Sequence, residues 1–407
     1  MFSIIRSVLV RLLLAALTLA LASGIATAGS KAYVGNFKDN TVSVIDTAAG
    51  TVVATVAVAA GPHGMAVTAD GRLLYVSGDG TSTLSVIDTA TNRVIQTIEV
   101  GKSPHGVALT PDGRLLLAAV NGEDRIAFID TATQAVVGTV GVAKPHTVAI
   151  RPDGKVAYVA SQDPGHFALS VIGLDARAVL RTIALDKTPR DLEFGHDGKK
   201  LYFTKAGLNA VEVLDPESDK IVAEIPTGVS PHYANFFRGT KLGMAVVQGP
   251  GELLLFDPLT NKPVNSIPVG KQPHWLAVSG DGKIAFVTNE GSNNVSVIDL
   301  ASGKTTTIAV GNTPRKVVVQ PAIGDPKISI ANFEFVPQVI TIDPGDSVTW
   351  SNDDGAPHQV GFKDGASGSD TLFPGKTYSR TFDVPGSYEY FCTIHNYMTG
   401  RIVVRSR

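Results

Sequence analysis

From Gly61 onward the chain repeats itself. The segment GPHGMAVTADGRLLYVSGDGTSTLSVIDTATNRVIQTIEV returns as GKSPHGVALTPDGRLLLAAVNGEDRIAFIDTATQAVVGTVGV, and then with more drift. A Pro-x pair opens each unit, and its second residue falls at His63, His105, His146, Arg190, His232, His274 and Arg315, at spacings of 41 to 44 residues. Such a period means a propeller or a solenoid, in which each unit buries its apolar face only against its neighbours.

The interior of the unit decides between them. Four apolar runs of strand length, GMAVTADG, RLLYVSG, TLSVIDTAT and RVIQTIEV, alternate with turn chemistry. Four short antiparallel strands make one propeller blade. Asp-Gly pairs at 70/71, 112/113, 153/154, 197/198 and 281/282 lie between first and second strands, where a tight hairpin needs positive φ. Asp46, Asp88, Asp130, Asp215, Asp257 and Asp299 end the third strand of their units and read as turn residues as well.

Counting closes the ring. Seven inner strands follow Pro-x pairs, but the chain enters at KAYVGNF with the second strand of a blade. The three N-terminal strands are therefore expected to pair with the last inner strand, RKVVVQ, which leaves no long open edge. The expected fold class is all-β: a seven-bladed β-propeller over residues 29–320, a linker over 321–326 containing Pro321, Gly324 and Pro326, and a second β domain over 327–407. The motifs YVGN, FVTN and NTVSVIDT resemble the YVTN-type β-propeller repeat family from about residue 31 to 320. That resemblance is specific for fold and nearly silent on activity.

The first residues bear on compartment. Arg6 and Arg11 precede an apolar run from Leu12 to Ala22, which ends in Ala26-Thr27-Ala28. This is the pattern of a secretory signal peptide over residues 1–28. The run is about half the ~20 residues that a spanning helix needs, and no other stretch is apolar for long enough. The expectation is an exported protein, periplasmic in the first place and secreted in the second, with no membrane span after signal removal. Lys and Arg number 35 against 37 Asp and Glu, without a basic cluster, which argues against a nucleic-acid partner.

Export makes the cysteine count informative, because oxidising compartments usually pair thiols. This chain has one cysteine, Cys392, in the stretch YFCTIHNYMTG. A lone cysteine is either a buried small hydrophobe or a reactive or metal-binding thiol. Electron-carrying copper is held by two imidazoles and one thiolate, with a weak axial thioether. Cys392, His395 and Met398 supply one of each within seven residues, and GAPHQV offers a second imidazole, His358, after a strand that ends TWSNDD. Around them, KISIANFEF, QVITIDPGDSVTWSN, KTYSRTFDV, GSYEYFC and GRIVVR read as antiparallel strands of a small β-sandwich.

This arrangement resembles the cupredoxins, with the C-x2-H-x2-M spacing of amicyanin, and the likeness covers essentially all of residues 327 to 407. The resemblance implies a type 1 blue copper site: His358, Cys392 and His395 equatorial, Met398 axial, and His395 the partly exposed ligand through which electrons pass. Gln359 stands where the plastocyanin-like proteins usually carry Asn or Thr, although its backbone N–H is still expected to reach the sulfur. Ile394 and Asn396 replace prolines common in amicyanin.

The seven Pro-x positions should ring one mouth of the propeller channel, each just before an inner strand. His63, His105, His146, His232 and His274, with Arg190 and Arg315, are either a copied entry residue or a second site for a metal or an anion. Three functions follow. The first is an electron carrier with the propeller as docking or substrate platform, meeting a soluble redox protein such as a cytochrome, a copper protein or a dehydrogenase. The second is a two-centre copper oxidoreductase with the rim as its second centre. In plan it is similar to nitrous oxide reductase, whose binuclear C-terminal copper needs two cysteines that this chain does not have. The third is copper handling without redox turnover. No catalytic residue and no haem attachment motif stands out, so enzymatic activity stays open. Trp275 and Trp350 read as packing residues, and Tyr397 as part of a surface for a redox partner.

Overall fold

The computed structural model describes residues 30–195, 197–237, 240–321, 327–342 and 344–404. The expected signal peptide and residues 322–326 of the linker lie outside the described residues. Among those described, seven four-stranded sheets form the propeller and two more form the C-terminal sandwich.

Each blade runs outward from its inner strand, as in Pro62–Val67, Leu73–Gly78, Thr83–Asp88 and Arg93–Glu99. The two middle strands are buried almost throughout, because neighbouring blades cover both their faces. That is why LLYVSG and TLSVID read as continuous apolar runs, whereas RVIQTIE on the rim of the disc is mostly exposed. Tyr75, Leu84 and Val86 of this blade pack with Val107, Leu116 and Ala118 of the next, and such interfaces carry the core. The Asp-Gly hairpins place Gly71, Gly113, Gly154, Gly198 and Gly282 at φ between 67° and 72°. At the third-strand ends the aspartates accept turn amides, as Asp46 Oδ1 does from the N–H groups of Ala48 and Ala49, both at 2.9 Å.

The ring closes as the repeat count requires. Lys31–Asn36 pairs antiparallel with Thr41–Asp46 on one side and with Pro314–Val319 on the other, setting Tyr33 opposite Val318 and Val34 opposite Val317. A side-chain latch reinforces the seam: Asp39 accepts from the backbone N–H of Asn312 at 2.7 Å and from its Nδ2 at 2.8 Å.

The Pro-x pair turns out to be the first two residues of each inner strand rather than a segment before it. Register slips immediately after it, from Pro62 opposite Gly78 to Met65 opposite Val76. The channel is also lopsided. A Cβ at Gly64 would stand 2.2 Å from the His105 carbonyl oxygen, and one at Gly106 would stand 2.6 Å from that of His146, so these inner strands approach closely only because both residues are glycine. In the corresponding positions of later blades stand Tyr233, Trp275 and Lys316, and the first two stack at 3.8 Å.

The C-terminal sandwich has one sheet of Glu334–Val336, Lys327–Ala331, Asp346–Asn352 and Thr377–Phe382, and a second of Val339–Ile342, Thr399–Val404, Gly386–Cys392 and Val360–Phe362. The sandwich is as expected, but its strands are not all antiparallel. Lys327–Ala331 runs parallel to Asp346–Asn352, and Val339–Ile342 parallel to Thr399–Val404. Turn signals report only strands joined by a hairpin, and a chain that crosses between sheets can return in the same direction. Trp350, fully buried, centres the core, ringed edge-on by Phe362 and Tyr390.

Candidate metal centre

Cys392 ends the strand Gly386–Cys392, and the turn after it folds back on the sulfur. Its backbone N–H donates to the Met398 carbonyl at 3.0 Å, and the Met398 N–H donates to the His395 carbonyl at 2.9 Å. This tight loop brings the His395 N–H to 3.4 Å and the His395 Nδ1 to 3.7 Å from Cys392 Sγ. The amide found on the sulfur is thus that of His395; the expected contact from Gln359 is not among those the structure makes. Gln359 instead bridges with its side chain, accepting from Thr393 Oγ1 at 2.5 Å and donating to the Ser369 carbonyl at 2.9 Å. It ties the strand after His358 to the strand end of Cys392.

His358 is fully buried and pinned by two backbone bonds with Leu372, at 3.0 and 2.7 Å. Asn352, also fully buried, holds the loop between strand and ligand by donating to the carbonyls of Ala356 at 2.8 Å and Leu372 at 2.7 Å. The His358 Nε2 lies 3.3 Å from Asp354 Oδ2, which can only accept, so the proton sits on Nε2 and the Nδ1 lone pair is bare. Burial opposes the Asp354 charge, yet hydrogen bonds from the Phe333 and Gly355 amides and from His358 hold its carboxyl below the usual range. Burial likewise pushes the His358 pKa down, which favours the neutral ligand form. Phe333 sets its ring edge-on to both imidazoles, 5.5 Å from His358 and 4.9 Å from His395. Asn352, Asp354 and Phe333 escaped the sequence reading; the polar run SNDDGAP before His358 was the only signal of the first two.

Among the described residues, His358, Cys392 and His395 are the one group of three whose donor atoms all lie within 4.8 Å of one another. The donors form a triangle with sides of 3.3, 3.7 and 3.7 Å. A point equidistant from all three lies about 2.1 Å from each, the length of a bond from imidazole to a first-row metal ion. Met398 is buried in the same cluster as Cys392. Two imidazoles, a thiol and a thioether in this disposition fit copper.

The comparisons with known proteins agree. Residues 324–405 match the copper binding proteins of the plastocyanin/azurin family. Amicyanin-alpha of Methylorubrum extorquens is 34% identical over 103 residues, 24% of this chain and 87% of the relative. Through its C-terminal domain the chain belongs to the plastocyanin/azurin family of copper-binding proteins. The amicyanin of Paracoccus versutus is 32% identical over 102 residues, 24% of this chain and 71% of that protein. Residues 18–109 match the YNCE-like β-propeller family. Among solved structures, Kuenenia stuttgartiensis hydrazine synthase superposes with a TM-score of 0.62 at 24% identity, over 68% of this chain and 94% of that one, a likeness of fold. The cupredoxin domain is accordingly a copper-binding electron-transfer domain.

The propeller rim assembles, but among the described residues it brings no three donor atoms within 4.8 Å of one another. His63, His105 and His146 stack ring on ring with centroids 3.6 and 3.9 Å apart, and His232 stacks on His274 at 3.9 Å. The Nδ1 of His105 donates to the His146 carbonyl at 3.1 Å, and that of His146 to the Arg190 carbonyl at 3.0 Å. These imidazoles clasp one blade to the next. Burial pushes the pKa values of His63, His105, His146 and His274 down, so they are neutral. Arg190 donates to Ser230 Oγ at 2.9 Å, and Arg315 lies 3.6 Å over the Phe37 ring and 3.6 Å from Glu290. The repeat spacing revealed that these side chains share a rim, but not that their rings pack against one another there.

Proposed function

We propose that this is an exported, periplasmic one-electron carrier, with copper held by His358, Cys392, His395 and Met398 and the propeller serving as docking or substrate platform. Copper at such a site supplies a Cu(II)/Cu(I) couple with little change in geometry, since the three strong donors and the weak thioether suit both states. The observation that carries the reading is the donor triangle, with sides of 3.3 to 3.7 Å, prepared by Asp354 on one imidazole and by the His395 turn around the sulfur.

The exposure pattern supports a carrier. Cys392, His358 and Met398 are buried, whereas His395 is half-buried and reaches the surface. Around it stand exposed apolar side chains, Phe333, Ile394 and Tyr397. Such a patch suits brief contact with a soluble redox protein, whether a cytochrome, another copper protein or a dehydrogenase. With four protein donors at the metal, no position is left for substrate. The two-centre alternative is not favoured, because among the described residues the rim brings no three donor atoms within 4.8 Å of one another.

The test is optical and stoichiometric. The chain loaded with Cu(II) is expected to show intense visible absorption from thiolate-to-copper charge transfer, bleached by a one-electron reductant, with one copper per chain. A colourless copper complex overturns this reading.

A further inference from the structure

Beside the Tyr233–Trp275 stack, the inner strands of the propeller surround a cavity of about 380 Å³. Its wall is aliphatic, including Leu109, Ile150, Leu276 and Val278, and the position that narrows a channel in the inner strands is alanine at Ala66, Ala108 and Ala277. Two charged side chains break this apolar lining, Lys316 and Glu193. The Lys316 Nζ stands 4.0 Å over the Trp275 ring, on which Tyr233 also stacks, so the aromatic pair forms a floor and the ammonium is held upon it. Among the described residues no carboxylate makes an ion pair with Lys316. Asp191, the other nearby acid, is taken up by His232 at 3.0 Å.

We propose that this cavity binds a small monocarboxylic acid with an apolar body, its carboxylate on Lys316 and its body among the aliphatic side chains toward the mouth. A concavity of this size, lined mostly by apolar residues with a few convergent polar groups, is the ordinary form of a small-molecule site. Burial pulls the Lys316 pKa down while Glu193 and Asp191 pull it up. An ammonium that makes no ion pair selects for an anion, and the aliphatic wall selects against a small inorganic one. Glu193 sets the pH window. Burial raises its pKa to about 7, against the opposing pull of Lys316. Below that pH the carboxyl is neutral and can donate a hydrogen bond to the bound carboxylate; above it the Glu193 charge cancels Lys316 and repels the ligand. The other groups that face Glu193 are Asp191 and the Tyr233 hydroxyl, whose pKa burial raises well above its usual value.

The site is independent of copper, so its test leaves the electron-transfer reading untouched. Benzoate is titrated calorimetrically into the full-length, copper-loaded chain at pH 6 and pH 8, with benzylamine as the cationic counterpart. Saturable benzoate binding is expected, about tenfold tighter at pH 6, with benzylamine inert. Lys316→Met should weaken it at least about tenfold, and Glu193→Gln should retain it while removing the pH dependence. Ala277→Phe, which fills the cavity and leaves both charges in place, should abolish it, with melting curves confirming that each variant folds. Absence of benzoate binding at pH 6, preference for benzylamine, or full binding in folded Lys316→Met or Ala277→Phe would each overturn the proposal.

Discussion

The Cys392 sulfur and the His358 Nδ1 face one another at 3.7 Å across 34 residues of intervening chain. The contact exists because Gly386–Cys392 pairs with Val360–Phe362, setting Val360 opposite Cys392, and because the His358–Leu372 bridge fixes the other approach. Two strands therefore place the thiol and the first imidazole before any metal arrives, and the preorganised site should survive loss of the sulfur. Cys392→Ser is expected to keep the fold while the visible absorption of the Cu(II)-loaded protein drops by at least about tenfold, since the charge-transfer donor is the thiolate. Absorption spectra and far-ultraviolet circular dichroism, taken together, separate the two effects.

Asn352 offers a sharper test of what holds His358. Its side-chain amide satisfies two carbonyls, those of Ala356 and Leu372, and its Oδ1 accepts the Asp354 N–H at 3.0 Å. In Asn352→Ala these hydrogen bonds are lost, and only the Leu372 carbonyl keeps another partner, the His358 N–H, for a total of about 1–3 kcal/mol. For a domain of this size that should lower the midpoint of the C-terminal transition by roughly ten degrees. Calorimetry of the copper-free chain measures it. Copper affinity should fall as well, since Asp354 then orients His358 less firmly.

The legibility of this molecule divides by range. The propeller was readable because each blade repeats a local pattern, and the closure by Lys31–Asn36 against Pro314–Val319 followed from a strand count. The group of His358, Cys392 and His395 was readable because two of them lie three residues apart and the third follows a polar turn. What escaped was set by side-chain direction and by partners remote in sequence. The rim histidines pack ring against ring, the amide on the sulfur is that of His395, and Gln359 bridges to Thr393 and Ser369. Glu193 and Lys316 occupy positions that are alanine and glycine in other repeats, visible as drift but without meaning until the inner strands surround one cavity.

Two glycines separate close approach from mere repetition. Gly64→Ala would set its Cβ against the His105 carbonyl and 2.8 Å from the Val107 amide nitrogen, both backbone atoms that cannot swing aside. The inner strands would have to part, at a cost of about 1–3 kcal/mol or more. Gly141→Ala, at the end of the outer strand Ala135–Gly141, meets no atom within 4 Å. It should be neutral or stabilise by roughly 0.4–1 kcal/mol through the unfolded chain. Chemical denaturation of the two variants beside the parent gives the comparison; equal stabilities would refute the close-approach account.

Glu193 makes a prediction about stability that needs no ligand. Its pKa is about 7 in the folded chain against an ordinary 4.5, with burial as the main cause. The folded state therefore holds this proton where the unfolded state has released it, and stability must fall as pH rises between those two values. Below about 4.5 both states are protonated and the group contributes nothing; above about 7 the full penalty is present, roughly 3 kcal/mol at most. The sign is opposite to that of Asp39, whose hydrogen bonds from Asn312 depress its pKa, so that its contribution is lost as pH falls. Glu193→Gln keeps the shape and removes the titration. Unfolding free energies of the parent should decline from pH 5 to pH 8 relative to those of the variant, and parallel profiles would show that the carboxyl titrates as in water.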